Sequence, residues 1–287
     1  VIITRIVGGL GNQMFQYAVG RAVSVQSGNP LKLDLTELKR DPRRPFQLNQ
    51  FKTIIEEASP RDIPLLPRKS LYGQLFVRLK NIGRVPHVRE TSSSFDPKIL
   101  QLRASAYLSG YWQSEKYFAA HADIIRQDFS LREAIASERQ RTLSKIREVG
   151  AAVSVHVRRG DYVTNASANA VHGTCEPGWY GVAMQKMAER VARPTFFIFS
   201  DDIQWARDNL PKNECMVFVE PQADGRDGED MHLMASCHSH IIANSTFSWW
   251  GAWLNPRRDK QVLAPARWFR SAAHDDRDLI SPSWKRI

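Results

Sequence analysis

With 287 residues, 43% of them apolar and 24% charged, the chain has the make-up of a folded globular protein of one large or two modest domains, which excludes a disordered or fibrous polymer. Its 40 basic against 30 acidic residues give a net charge of +10, favouring an anionic ligand, nucleic acid or an anionic membrane surface as partner.

A strand is predicted over residues 2–7, followed by the glycine turn Gly8-Gly9-Leu10-Gly11. A helix then starts near Asn12 and runs through Val25, until Gly28-Asn29-Pro30 stops it. Residues 31–34 form the next strand and complete a β–turn–α–β unit. Residues 42–97 are rich in Pro and Arg and read as loops or short helices that shape a binding face. Residues 106–113 read as a strand leading into an aromatic turn, and a polar helix covers 131–148. The second half is more regular. Strands at 151–157, 195–200, 215–220, 240–243 and 261–264 alternate with helices at 178–191, from Asp202 to about 210, at 229–237 and at 246–254. A loop with Gly160, Asn165, Gly173 and Pro177 follows the first of these strands, and a Gly/Asp loop covers 224–228. Such alternation implies an α/β fold with mostly parallel sheets and right-handed crossovers. Two Rossmann-like halves are expected, residues 1–149 and 150–287, with a ligand cleft between them.

Three polar groups fall at strand carboxyl ends in the second half, where open α/β sheets bind ligands. His156-Val157-Arg158-Arg159-Gly160-Asp161-Tyr162 ends the strand at 151–157. Its two guanidiniums suit bidentate hydrogen bonds to a phosphate or pyrophosphate. The alternative is a surface Arg–Asp cluster that solvates a strand end. Ser200-Asp201-Asp202 ends the next strand. Its carboxylates suit Mg²⁺ or Mn²⁺, a helix cap with Ser200 or Asp201 at the N-cap, or a purine edge or ribose. No second acid cluster accompanies the pair, which disfavours a metal. Asn244-Ser245-Thr246-Phe247-Ser248 follows the strand at 240–243, with Ser245 or Thr246 as helix cap and N–H groups suited to a second phosphate. Trp249 and Trp253, one helical turn apart, read as core rather than a sugar-stacking surface.

In the first half, Gly9-Leu10-Gly11 before a helix, with Asp34 ending the next strand, partly imitates a dinucleotide fingerprint. Met14 occupies the third glycine position and opposes that reading. What remains is a turn for an anion or a sugar hydroxyl, with amides from Asn12 and Gln13, or a turn needed only for geometry. His232, His238 and His240 lack zinc spacing and read as structural. Cys175, Cys215 and Cys237 form no C-x-x-C pair, so neither a disulfide framework nor a zinc site is expected, and Cys215 and Cys237 read as small core residues in a reducing cytoplasm. No nucleophile elbow is present. No apolar run approaches a membrane span and no leader-like segment opens the sequence, so membrane contact is expected to be peripheral at most. The converging groups describe a nucleotide–diphosphate donor.

Gly8 through Ala18 resembles the N-terminal signature of bacterial α-1,2-fucosyltransferases, glycosyltransferase family eleven. His156 through Tyr162 resembles their H-x-R-R-x-D motif, shared more distantly with α-1,6- and protein O-fucosyltransferases. Phe199-Ser200-Asp201-Asp202 is similar to the second motif, and Asp230 through Met234 with Ile241 through Asn255 to the third. The resemblance implies a two-domain B-type glycosyltransferase fold, GDP-β-L-fucose as co-substrate, no metal or other cofactor, and inversion at the sugar carbon. Together with the glycine-turn and strand-end readings above, it gives Gly9, Gly11, Asn12, Gln13, His156, Arg158, Arg159, Ser200, Asp201, Asp202 and Asn244 through Ser248 as the expected donor-binding positions. Among these, Arg158 would bind the β-phosphate as a catalytic residue, His156 and one of Asp201 and Asp202 the guanine, and Ser245, Thr246, Phe247 and Ser248 the phosphate and fucose pocket. Asp161 is the nearest candidate base, or an ion-pair partner of the arginines. Glu176 is a remoter base, and a weakly assisted dissociative route needs neither.

The expected activity is fucosyl transfer to the 2-hydroxyl of a galactosyl oligosaccharide or glycolipid in a bacterial surface glycan such as an O-antigen. The first half would serve the acceptor and the second the GDP-fucose, in a cytoplasmic or inner-membrane-peripheral protein. The alternatives are another GDP-sugar or linkage on the same fold, or a basic nucleic-acid-binding protein. The last predicts steep salt dependence and leaves the strand-end motifs unexplained.

Overall fold

Parallel strands covered on both faces need near-continuous apolar runs, and Ala152–Val157 and Thr195–Ser200 supply them at the centre of this fold. The computed structural model describes residues 1–65, 84–212, 215–221 and 225–287. Part of the predicted 42–97 region, residues 66–83, and Asp224 of the predicted 224–228 loop lie outside the described residues.

The chain divides into two units, Val1–Asp128 and Phe129–Ile287. In the first, β1 (Ile2–Arg5), β2 (Leu31–Asp34), β3 (His87–Arg89) and β4 (Ala106–Ser109) form a parallel sheet in the order β2-β1-β4-β3. Helix α1 (Leu10–Ser27) starts two residues before the predicted Asn12 and ends at Gly28, whose φ of 72° makes the left-handed cap. Helix α2 (Ala122–Asp128) closes the unit. Strand β3 is not among the predicted strands, since an edge strand of three partly exposed residues shows no apolar run.

In the second unit, β5 (Ala152–Val157), β6 (Thr195–Ser200), β7 (Met216–Phe218), β8 (Ser239–Ile241), β9 (Val262–Ala264) and β10 (Lys285–Arg286) are parallel in the order β10-β9-β8-β5-β6-β7. The helices are α3 (Ser137–Glu148), α4 (Gly160–Thr164), α5 (Ala166–His172), α6 (Pro177–Ala188), α7 (Ile203–Asn209), α8 (Asp227–Ser236) and α9 (Thr246–Leu254). Strand alternation sorts the core. Val153, Val155 and Val157 meet Tyr180, Met184 and Met187 of α6 on one face. Ala152, with Phe197 and Phe199 of β6, meets Leu143 and Ile146 of α3 and Leu233 and Met234 of α8 on the other. Because α3 packs there, it belongs to the second unit, and the division falls ahead of it rather than at residue 149.

Other expectations shift for local reasons. The helix predicted from residue 131 begins at Ser137. The loop after β5 contains α4 and α5, the latter capped by Asn165, whose Oδ1 accepts the N–H groups of Ser167 and Ala168 at 3.0 and 3.2 Å. Cys237 is buried, but Cys215 is exposed beside β7 rather than in the core. Trp249 and Trp250 are fully buried, and the Trp249 Nε1–H donates to the Leu279 carbonyl at 2.8 Å. Among the described residues no helix is long and apolar enough to cross a membrane.

Candidate active site

Strands β5 and β6 pair with Val157 opposite Ser200, so Arg158 and Asp201 leave the sheet side by side. Strand β8 pairs with β5 through Val155 opposite Ile241, and counted on from there Asn244 is level with Arg158. The three strand-end motifs therefore share one edge of one sheet.

Arg158 is the hub. Its Nη1 lies 2.6 Å from Asp201 Oδ2, and its Nη2 pairs with Asp161 Oδ1. Its guanidinium carbon is 5.3 Å from the centre of the Tyr162 ring. Burial works to lower its pKa, but Asp201 and Asp161 outweigh burial and raise it. Asp201 Oδ1 also accepts the Arg159 N–H at 2.8 Å. Gly160 lies against the same carboxylate: its φ is +23°, and a Cβ there would stand 2.5 Å from Asp201 Oδ2. The turn of Arg158, Arg159 and Gly160 is thus folded around Asp201.

Arg159 is held differently. Its Nε is 3.4 Å from Asp202 Oδ2 and its guanidinium carbon 3.8 Å from the Trp205 ring centre. The N-cap of α7 is Asp202, not Ser200 or Asp201. Its Oδ1 accepts the Trp205 N–H at 3.1 Å, and Ser200 Oγ accepts the Asp202 N–H at 3.0 Å. The reason is that β6 runs on to Ser200 and the chain needs two further residues to turn.

His156 is 4% exposed, and its ring lies 5.4 Å from that of Phe247. Burial, and secondarily Arg158, push its pKa down to about 3, so the imidazole is neutral. Sequence reasoning missed Tyr162 as a site residue, although it directly follows Asp161. Its ring stacks on His172 at 4.6 Å and its hydroxyl donates to the Asn244 carbonyl at 3.3 Å.

The side chains of Asn244 and Ser248 are tied into the surrounding backbone. Asn244 Nδ2 donates to the carbonyls of His172, Gly173 and Trp268 at 2.9, 3.3 and 3.2 Å. The Ser248 hydroxyl is buried and donates to the carbonyl of Ser245 or Ala243, at 3.0 or 3.2 Å. Ser245 stands at the N-cap of α9 without a side-chain cap bond, and Thr246 and Phe247 are half-buried in its first turn. Glu176 is exposed just before α6.

In the first unit, Gly8 adopts φ +80°, Gly9 is extended at the N-cap of α1, and Gly11 is buried in the first turn. That turn carries no acid. Gln13 is also scaffold: it is fully buried, its Nε2 donates to the Gly8 and Pro45 carbonyls at 2.9 Å each, and its Oε1 accepts the Gln47 N–H at 3.0 Å. Asn12 Oδ1 accepts from Gln113 Nε2 at 2.9 Å. Asp34, the would-be ribose acid of a dinucleotide site, accepts from the Tyr107 hydroxyl at 2.6 Å and the Thr36 N–H at 3.0 Å. Among the described residues no group of three or more His, Cys, Asp or Glu is placed to hold a metal ion.

The model of glycosyl transferase family 11 matches residues 88–287, a stretch that contains all three strand-end motifs. The chain belongs to this family. An α-1,2-colitosyltransferase of Escherichia coli is 33% identical over 100% of this chain and 99% of its own length. The O-antigen biosynthesis glycosyltransferase WbnK of Escherichia coli is 32% identical over 96% of this chain and 97% of its own. A galactoside α-(1,2)-fucosyltransferase 1 of Rattus norvegicus is 31% identical, covering 86% of this chain and 61% of the rat protein. The fold is the B-type glycosyltransferase fold: the fucosyltransferase NodZ from Bradyrhizobium superposes with a TM-score of 0.53 at 16% identity, over 89% of this chain and 92% of NodZ. This family 11 member is therefore a glycosyltransferase, and membership sets aside the nucleic-acid-binding alternative.

Proposed function

We propose that the protein transfers L-fucose, with inversion and without a metal ion, from GDP-β-L-fucose to the 2-hydroxyl of a galactosyl acceptor in a bacterial surface glycan. The observation that carries the reading is Arg158, fixed at a strand end by Asp161, Asp201 and Tyr162. GDP departs with negative charge on its β-phosphate. A guanidinium already oriented for that charge stabilises the transition state without reorganising. Neutral His156 is suited to a hydrogen bond with guanine. The first turn of α9, with Thr246 and Phe247, is suited to the phosphates and the fucose. Asp161 takes the positioning role, because its carboxylate is engaged by Arg158. Deprotonation of the acceptor is then weakly assisted, in an oxocarbenium-like transition state. The relatives named for α-1,2 transfer support the linkage. In this reading the second unit holds the GDP-sugar and the first the acceptor.

A second reading keeps the chemistry and changes the donor to GDP-colitose, favoured by the relative named for colitosyl transfer. Colitose is fucose lacking one ring hydroxyl, and a site built to hydrogen-bond that hydroxyl discriminates strongly against the deoxy sugar.

The test presents purified protein in EDTA with GDP-fucose, GDP-colitose or GDP-mannose and a galactosyl oligosaccharide, and reads product linkage by NMR. An α-1,2-fucosylated product is expected. Preference for GDP-colitose selects the second reading, while a strict Mg²⁺ requirement or transfer from neither donor overturns both. Arg158→Ala should lower kcat at least 10²–10³-fold. Arg158→Lys should stay impaired, since an ammonium lacks the bidentate fork. Near-normal turnover in Arg158→Ala contradicts the site.

A further inference from the structure

The first unit holds a cleft of about 250 Å³ at the carboxyl edge of its sheet, whose lining includes Arg5, Gly8, Glu37, Asp41, Arg44 and Tyr111. Arg5 ends β1 and Tyr111 follows β4, its neighbour in the sheet, so adjacent parallel strands release the chain into the cleft. The volume lies below the range typical of drug-sized ligands and suits a single sugar ring. The lining charges balance, two guanidiniums against two carboxylates. Glu37 Oε2 lies 3.6 Å from Arg5 Nη2, and Asp41 Oδ1 lies 3.0 Å from Arg43 Nε. Such a balance does not select an anion. It offers planar donors and acceptors to a neutral polyhydroxylated ligand.

Tyr111 is 50% exposed, and the backbone that presents it is strained. The next residue, Trp112, is fully buried yet adopts a φ of 55°, in the left-handed region that a bulky residue avoids. A Cβ on Gly110 would stand 2.4 Å from Glu90 Cβ, so the preceding position admits only glycine. Glu90 clasps the turn by accepting the Tyr111 and Trp112 N–H groups at 2.6 and 2.9 Å. The Trp112 ring is fixed edge-on to Tyr117 at 5.6 Å. Strain of this kind persists where surrounding structure over-determines it, and it clusters at ligand sites. Here the turn anchors Trp112 in the core while leaving the neighbouring Tyr111 ring at the cleft.

We infer that Tyr111 is the platform for the acceptor sugar and a determinant of acceptor specificity. The ring stacks on the apolar face of a neutral hexose, whose hydroxyls are taken by Glu37, Asp41, Arg5 and Arg44. This rests on the glycosyl-transfer reading above and adds the residues that hold the acceptor.

The test uses the full chain with lactose as probe and compares Tyr111→Ala, Tyr111→Phe and Tyr111→Trp. Thermal melts establish that the variants fold, as expected for a half-exposed ring. The KM for lactose, saturation-transfer NMR between protein and lactose, and the Kd for GDP by calorimetry are then measured. Tyr111→Ala should raise the lactose KM about tenfold and weaken saturation transfer in step, with Phe and Trp within about twofold of Tyr, on the scale of one aromatic contact. The Kd for GDP should not follow. An unchanged lactose KM in Tyr111→Ala, a parallel loss of GDP affinity, or no saturation transfer in the wild type overturns the inference. If no sugar is transferred but Tyr111→Ala weakens lactose binding about tenfold, the platform stands and the donor reading falls.

Discussion

Asp201 holds two groups with one carboxylate: Oδ2 faces the Arg158 guanidinium at 2.6 Å, and Oδ1 accepts the Arg159 N–H at 2.8 Å. Asp201→Asn separates these functions. The amide keeps an oxygen for the Arg159 N–H and loses the charge opposite Arg158, at almost constant volume. The fold should survive, and kcat should fall about 10–100-fold, the usual effect of removing a group that orients a working residue. The KM for the acceptor should hold, since Asp201 acts through Arg158 and not on the acceptor. Initial rates against both substrates check this. Turnover within twofold of wild type would mean that Asp161 and Tyr162 orient Arg158 unaided.

At the scale of elements, the turn joining β5 to α4 is the most constrained join of the site. Gly160 at φ +23° has no room for a Cβ beside Asp201. Gly160→Ala should therefore cost about 1–3 kcal/mol of stability and most of the activity, by displacing the carboxylate. Gly178, in the first turn of α6, has nothing within 4 Å of where a methyl would stand. Gly178→Ala should instead stabilise by about 0.4–1 kcal/mol with activity kept. Urea unfolding of both variants tests the pair, and equal effects would remove the special status of Gly160. These joins also mark the limit of what the sequence discloses. Apolar runs announce β5 and β6 because both of their faces are buried, and the polar residues behind them announce the site. Which acid caps α7 and which orients Arg158 depends on the register of Val157 against Ser200, which no local pattern carries. The scaffold role of Gln13 depends on contacts with Pro45 and Gln47, more than thirty residues away. Tyr111 likewise reads as one aromatic of a strand end until the contact with Glu90, just past the end of β3, is known.

For the whole molecule, two buried histidines tie stability to pH. Burial lowers the pKa of both His156 and His240 from 6.5 to about 3, with Arg158 and Lys260 as the secondary causes. The His240 ring shows why. Its Nε2 accepts from Asn255 Nδ2 at 2.9 Å, and the same amide nitrogen donates to the Cys237 carbonyl at 2.8 Å, which fixes its orientation. The Nδ1–H is therefore left to donate to Ser154 Oγ at 2.8 Å, and a second ring proton would point at a donor. The unfolded chain takes up both protons as pH falls through 6.5, while the folded chain refuses them until about 3. Stability present at neutral pH is thus lost progressively between those values, by at most a few kcal/mol per group at about 1.4 kcal/mol per pH unit. Both residues lie in the unit Phe129–Ile287. If melting resolves two transitions, the one belonging to this unit should carry the pH dependence. Calorimetric scans from pH 7.5 to 5 should show its Tm falling, and His240→Gln should start lower at pH 7.5 but fall less steeply. A Tm that stays level across this range would mean that neither imidazole is held neutral by the fold. A slope in His240→Gln equal to that of the wild type would move the effect from His240 to the other histidines of this unit whose pKa burial lowers, His156, His172 and His232.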